Sequence, residues 1–446
     1  MRYKSTRGGV NGLSFTDSLL MGLASDGGLL VPETIPSVVD KLDEWASLPF
    51  VALAKEIIPL FVDDIPNEDL HPLIEKAYST FSHEEVVALR QLDQLTVVEL
   101  FHGPTLAFKD VALQLLGQLF NYVLSQRGEQ LNILGATSGD TGSAAIEAVR
   151  GQPNVNIYIL YPDQKVSALQ EMQMTTVPES NVHCVAVKGS FDDCQTLMKQ
   201  VFGDLDFKEK HSLGAVNSVN WARVMAQIVY YGYASLRQDQ ITNFCVPTGN
   251  FGNVFAAYLA KRMGFPIGKL LVATNANDIL ARFFTSGEYA RAEVQYTLSP
   301  AMDIQIASNF ERYLYYHFDE DPQQLKEFML SFQESGRASL AEPPSKETFV
   351  AVAVDKSKTL EAIKHCYDNY GYVLDPHTAV GYGACQNAGG EQFMLMATAH
   401  PAKFPEAVGL AIEHRPTHPT LENLKDKQQR KQIIDADEAA VRGLLN

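Results

Sequence analysis

The sequence predicts an α/β protein: two domains, each built on a parallel sheet, facing one another across a ligand cleft, beside a smaller N-terminal region. Three observations predict it. From about Leu131 short apolar runs alternate with helical patterns, a second such series begins near Val216, and the first ninety or so residues lack this rhythm. Strands alternating with helices at this spacing argue for βαβ units, whose parallel sheet is covered on both faces. Two such blocks in succession place a ligand between them, beyond the carboxyl ends of the strands. The expected division is 1–90, 91–215 and 216–446, in keeping with roughly 150 residues per domain.

In the N-terminal region, helical runs over 14–23 and 51–61 are joined by turns rich in Pro and Asp. In the first α/β block, LNILGAT (131–137) reads as a strand followed by a helix over 142–149. NIYILYP (156–162) precedes a helix over 167–174, and HCVAVKG (183–189) precedes one over 192–202. The second block offers a long helix over 221–236, the strand NFCVPT (243–248), a helix over 252–264 closed by Gly264, and the strand KLLVATN (269–275). The more polar stretch 319–345 is expected to hold an inserted helix running into the loop AEPPSKE. Charged LENLKDKQQRKQ (421–432) reads as a solvated helix face.

Lys and Arg number 36 against 53 Asp and Glu, a formal net charge of −17 that disfavours nucleic acid or an anionic membrane as partner. A hydrophobic content of 46% is ordinary for a globular chain. The five cysteines, Cys184, Cys194, Cys245, Cys366 and Cys385, lack metal-ligand spacing and read as reduced, mostly buried thiols of a cytosolic protein. His365, His414 and His418 form no convincing metal set, so no metal is expected. MRYKSTRGG lacks the apolar core of a signal peptide, and no apolar run is long enough to span a bilayer, so the chain is expected to be cytoplasmic.

Five segments carry candidate chemistry. In HGPTLAFKD, Lys109 follows the apolar run Leu106, Ala107, Phe108; desolvation there would lower its pKa and free an amine to attack a carbonyl, the alternative being a surface lysine at a helix start. In LGATSGDTGSAA a strand ends at Ala136 and a helix begins at about Thr141, so unpaired N–H groups and the helix dipole suit a carboxylate or phosphate. Ser138 and Asp140 add side chains there, and Gly139 and Gly142 let a ligand approach the backbone; a plain turn with Asp140 as N-cap is the alternative. The segment lacks the spacing of either a dinucleotide or a P-loop fingerprint.

VPTGNFGNVFAA is again strand, glycine turn and helix, in which Gly249 and Gly252 permit a nest of N–H groups and Asn250 and Asn253 can donate to phosphate oxygens, unless it is only a capped helix. In NSVNWARV, Asn220 and Arg223 can share a helix face, so Arg223 could clamp an anion beside Asn217 and Ser218, or be structural. In MLMATAHPAKF a strand ends at Thr398, whose hydroxyl can reach into a cleft, and His400 either titrates near neutral pH or is a packed turn histidine.

Taken together and in this order, these segments resemble the threonine synthase family, pyridoxal-phosphate enzymes of the tryptophan-synthase-like fold. YKSTRG and ASDGGLLVPETIP are similar to the start of its bacterial and fungal branch, and the likeness runs from the first residues to about Phe404. The resemblance makes the cleft a cofactor cleft and Lys109 the lysine that holds pyridoxal 5'-phosphate as a Schiff base. It implies that Gly249, Asn250, Phe251, Gly252 and Asn253 hold the cofactor phosphate, that Thr398 faces the pyridine nitrogen, and that Asp140 contacts the phenolic oxygen. Ser138, Gly139 and Thr141 would meet the substrate carboxylate, and Asn217, Ser218 and Arg223 the substrate phosphate. Asn309 and Arg312, in SNFERYLYY, are family-like without an assigned role. The implied reaction turns O-phospho-L-homoserine and water into L-threonine and phosphate. A serine/threonine dehydratase of the same fold, and a noncatalytic ligand-binding module, are the rival readings.

Overall fold

The computed structural model describes residues 1–137 and 139–445. Val- and Ile-rich runs such as Val155–Pro162 are buried along most of their length, as strands covered on both faces must be. They build a five-stranded sheet in the order Gln432–Asp435, Val182–Lys188, Val155–Pro162, Leu131–Ala136, Leu213–Gly214, all neighbours parallel. A six-stranded sheet runs Phe349–Ala353, Ile267–Thr274, Thr242–Pro247, Met394–Ala397, Leu95–Glu99, Ala88–Leu92, parallel except for its last pair. The α/β architecture with two parallel sheets is therefore as expected. Strand membership is less simple than chain order: the hairpin of Ala88–Leu92 and Leu95–Glu99 joins the sheet of the second block, and Gln432–Asp435 joins that of the first.

Two helices pack against each other at the centre, Lys109–Arg127 and Trp221–Ser235. Every residue of the second is buried, including the run Tyr230, Tyr231, Gly232, Tyr233, so it has no solvent face. Gly117 lets the first approach the helix Asp140–Val149: a Cβ there would collide with the carbonyl of Ala148. The N-terminal region adds the two-stranded sheet of Tyr3–Ser5 and Leu30–Pro32 and the helices Phe15–Met21, Phe50–Ile57 and Asn67–Tyr78. It shares the main core: buried Tyr3 donates to the carbonyl of Phe61 at 2.6 Å and lies 6.0 Å from the Trp221 ring.

Local chemistry sets the element ends. Ser167 and Ser190 cap their helices, the latter in a capping box with Asp193, and Gly264 closes Gly252–Met263 in the left-handed region at φ 101. The inserted helix is Pro322–Ser335, capped by Asp321. The charged run 421–432 is not a helix face; only Pro419–Glu422 is helical, and Lys431 and Arg430 are drawn to Glu171 and to the carbonyl of Thr175. All five cysteines are free and four are buried. Among the described residues no helix is long and apolar enough to cross a membrane.

Candidate active site

Lys109 is the first residue of its helix, and the turn before it is pinned twice. Asp110 accepts from the backbone N–H and the hydroxyl of Thr105 at 2.8 and 2.6 Å, closing the turn. The backbone of 106–108 then runs beside 398–400: Phe108 N donates to Thr398 O at 2.8 Å and His400 N to Leu106 O at 3.0 Å. These bonds bring Lys109 and Thr398 together from distant parts of the chain. Lys109 is 8% exposed, not a surface lysine. Burial lowers its pKa from 10.5 to about 8, with Asp140 opposing and the charges of Lys403 and Arg223 assisting. Burial also raises the Asp110 carboxyl to about 6, against the hydrogen bonds from Thr105.

Asp140 opens the helix Asp140–Val149 as its first residue; the cap is Gly139, at φ 145, so the expectation of Asp140 as N-cap is corrected. Its side chain instead accepts from Gln170 Nε2 at 3.0 Å and pairs with Lys403 Nζ at 3.0 Å, while Lys109 Nζ lies 3.8 Å from its other oxygen. Burial favours its neutral form, but Lys403 and then Lys109 outweigh that and hold the carboxyl well below the usual range. Thr137 Oγ1 accepts the N–H groups of Gly139 and Gly142, both at 3.0 Å, so the turn has fewer unpaired donors than its sequence suggested. Thr141 follows Asp140 in the first turn, partly exposed. Ser138 lies outside the described residues.

The glycine turn joins the strand Thr242–Pro247 to the helix Gly252–Met263. Phe251 adopts φ 63, and its buried ring stacks on Phe284 and meets Phe310 edge-on, anchoring the turn from behind. A Cβ on Gly249 would lie 2.6 Å from the carbonyl oxygen of Ala301, and one on Gly252 3.1 Å from Asn309 Nδ2. Asn253 accepts from the hydroxyls of Tyr230 and Tyr231 at 2.5 and 2.8 Å, yet its buried Nδ2 finds no partner among the described residues.

Arg223 is buried in the first turn of Trp221–Ser235, and its Nη1 likewise has no partner among the described residues. Burial lowers its pKa to about 10, with Tyr230 opposing. Asn220 does not join it in a clamp: Asn220 caps the helix and donates to Leu19 O at 3.0 Å. Asn217 accepts from Val219 N at 3.2 Å, and the hydroxyls of Ser218 and Ser308 share a hydrogen bond of 2.7 Å. Asn309 and Arg312 tie these parts together. Asn309 Nδ2 donates to the carbonyls of Ser218 and Asn250 at 3.0 and 3.1 Å, and Arg312 donates to Asn309 Oδ1 at 2.5 Å and to Val219 O at 2.6 Å.

Three features went unread in the sequence. Lys403 and Gln170 meet at Asp140, and neither carried a local signal. Asp375, His377 and Thr378 did: Asp-Pro-His-Thr is an N-cap with Pro at the first helical position. His377 pairs with Asp375 at 2.9 Å and accepts from Ala301 N at 3.3 Å, while Thr378 Oγ1 accepts from Thr398 N at 3.1 Å. This one cap therefore supports both Thr398 and the segment behind Gly249. His400, by contrast, is held to a pKa of about 4 by burial, His418 and His102, which favours the packed turn histidine of the two alternatives.

Residues 2–78 match the family described as threonine synthase N terminus, 85–393 that of pyridoxal-phosphate dependent enzymes, and 378–445 threonine synthase, C-terminal. The chain is 45% identical to the threonine synthase of Pseudomonas aeruginosa, over 100% of this chain and 98% of that one. The chain belongs to the threonine synthase family. Its likeness extends to the threonine synthase of Saccharomyces cerevisiae, 45% identical over 92% of this chain and 89% of that one. Among solved threonine synthases, the pyridoxal-phosphate-bound structure from Brucella melitensis superposes with a TM-score of 0.97 at 43% identity, covering 100% of this chain and 98% of that one. Maize serine racemase, at 13% identity and a TM-score of 0.52, speaks for the wider fold alone.

Proposed function

We propose that this chain converts O-phospho-L-homoserine and water into L-threonine and inorganic phosphate, the last step of threonine biosynthesis, as a pyridoxal-phosphate-dependent lyase. Membership of the threonine synthase family along the whole chain supports the activity. The observation that carries the reading at residue level is Arg223, a buried guanidinium whose Nη1 has no partner among the described residues. A dehydratase acting on serine or threonine has no second phosphate to bind, whereas this substrate brings one. The residues present fit the cofactor: a buried lysine whose amine form burial favours, a glycine turn where Gly249 leaves no room for a Cβ, and the Nδ2 of Asn253 without a partner among the described residues.

In this reading Lys109 holds the cofactor covalently, Gly249 to Asn253 take its phosphate, Thr398 faces its ring nitrogen and Asp140 its phenolic oxygen. When bound, the cofactor supplies an electron sink that lets a proton leave the substrate Cα. As a free amine, Lys109 Nζ would be the base for the Cα proton and then for the Cβ proton. Thr398 offers a hydroxyl, which unlike a carboxylate does not keep the ring nitrogen protonated. Ser138, Gly139 and Thr141 bind the substrate carboxylate; Asn217, Ser218 and Arg223 bind and orient its phosphate as it leaves Cγ. Water must reach Cβ only afterwards, so the buried walls around Lys109 exclude it early.

The division at 1–90, 91–215 and 216–446 belongs to the same proposal, with the hairpin 88–99 and the strand Gln432–Asp435 exchanged between the later two. So does cytoplasmic residence, supported by five free cysteines, and action on a small molecule without nucleic-acid or membrane partners. Incubation with O-phospho-L-homoserine should yield phosphate and threonine in equal amounts. Oxoacid and ammonia from serine or threonine, without phosphate release from phosphohomoserine, would establish the dehydratase instead.

A further inference from the structure

Lys403 is among the most thoroughly buried charged groups of the molecule, its side chain 0% exposed. It closes the short turn Pro401–Lys403, a few residues beyond the strand Met394–Ala397 and Thr398. A buried ammonium must have its donors met, and two acceptors meet them: Thr105 O at 2.7 Å and Asp140 Oδ1 at 3.0 Å. Gln170 Nε2 donates to the same Oδ1 at 3.0 Å, which fixes the orientation of the carboxylate and leaves Oδ2 towards Lys109 at 3.8 Å, beyond hydrogen-bond reach.

One carboxylate thus stands between two lysines, and the shorter pairing goes to the one remote from the proposed chemistry. The other charges around Lys109 are Arg223 and Asp110; around Asp140 the remaining titratable neighbour is His377. Asp110 is engaged by Thr105, the residue whose carbonyl Lys403 holds. Asp110 therefore acts on Lys109 more weakly than Asp140 does.

We propose that Lys403 is a positioning residue: its ammonium, locked between Thr105 O and Asp140 Oδ1, takes the carboxylate that Lys109 would otherwise pair with, and so favours the uncharged amine of Lys109. This rests on reading Lys109 as the cofactor lysine. The direction of the Lys109 shift, with Lys403 among the causes that lower it, agrees with the geometry.

The test is the titration of Lys109 in the full-length chain stripped of cofactor by hydroxylamine. Pulses of formaldehyde and cyanoborohydride across pH, with the Lys109 peptide quantified by mass spectrometry, give its midpoint without any turnover. In Lys403→Met, which fills the space without charge, the midpoint should rise by at least about one pH unit, because Asp140 then serves Lys109 alone. Recapture of added pyridoxal phosphate at neutral pH should slow at least about tenfold with it. Lys403→Arg, which keeps the charge, should restore the wild-type midpoint, and Asp140→Asn should lower it. A purely structural role would depress the melting temperature of Lys403→Met and leave the midpoint where it was, which overturns the proposal. Should Lys403→Met not fold, Lys403→Gln, which keeps a donor for Thr105 O but no charge, decides instead: its midpoint should rise likewise, and an unmoved one overturns the proposal. Borohydride reduction of the wild-type holoenzyme keeps the two readings apart: a tag on another lysine refutes the role of Lys109, whatever Lys403 does.

Discussion

Burial acts on Lys109 and Asp140 alike, by penalising charge, yet the two end on opposite sides of that penalty. Lys109 gives way, to about 8, because its nearest anion is shared and Arg223 and Lys403 repel it. Asp140 stays charged because the Lys403 ammonium, aided by Lys109 whenever that is protonated, outweighs the penalty. Replacing Lys109 by Ala should leave a chain that still takes up pyridoxal phosphate through the glycine turn, but reversibly and without a borohydride-reducible imine. Turnover should collapse, since the attachment point and base go together; near-normal activity without added amine would refute the assignment. Arg223→Leu should divide substrate from cofactor. A hydrogen bond to a charged group is worth roughly 1.5–3 kcal/mol, so kcat/KM for phosphohomoserine should fall at least about tenfold while the protein stays yellow. Serine or threonine, tested as alternative amino acids, should suffer little; equal losses on all of them would make Arg223 structural. Lys109 was legible because its apolar flank is local. Lys403 was not, because it meets Thr105 across 298 residues and no spacing encodes that meeting.

Elements extend the same contrast. Strands and helices around the cleft could be read from periodicity because their burial alternates within a window of ten or so residues, and caps such as Ser190 and Gly264 mark their ends. The run 421–432 was misread because its charges suggest a solvated helix, whereas Thr175 and Glu171, far away in sequence, draw it out as a strap leading into a strand. The glycine turn was legible as a phosphate cradle, but the reason for each glycine was not. Gly249 faces the backbone of Ala301, which cannot swing aside as a side chain can. Gly249→Ala should therefore displace the turn, at a cost of roughly 1–3 kcal/mol for overpacking. Cofactor affinity, titrated by absorbance, should weaken at least about fivefold. Unchanged affinity would mean the phosphate is held elsewhere.

Across the whole molecule, the C-terminal segment leaves the six-stranded sheet at Ala397, passes His400 and Lys403 beneath the Lys109 turn, and supplies the outer strand of the other sheet before the helix Glu438–Leu445. This crossing is one of those that bind the two halves, and global stability should report on groups buried along it. His400 is such a group. It accepts from Ala402 N at 3.1 Å as a cap, lies 5.4 Å from the Phe101 ring and 4.9 Å from His418. Burial, then His418 and His102, hold it to about 4 against an ordinary 6.5, with Asp375 and Glu99 opposing. The folded chain therefore binds fewer protons here than the unfolded chain between those values. The stability His400 permits is complete above about pH 6.5 and declines as pH falls towards 4, where the loss levels off. At pH 5 the loss should be about 1–2 kcal/mol after discounting for partial exposure. His400→Asn keeps an acceptor for the cap but cannot titrate. Urea unfolding at pH 7.5 and pH 5 should show the wild type losing that much more than the variant. Parallel losses in the two proteins would place the acid sensitivity elsewhere along the crossing.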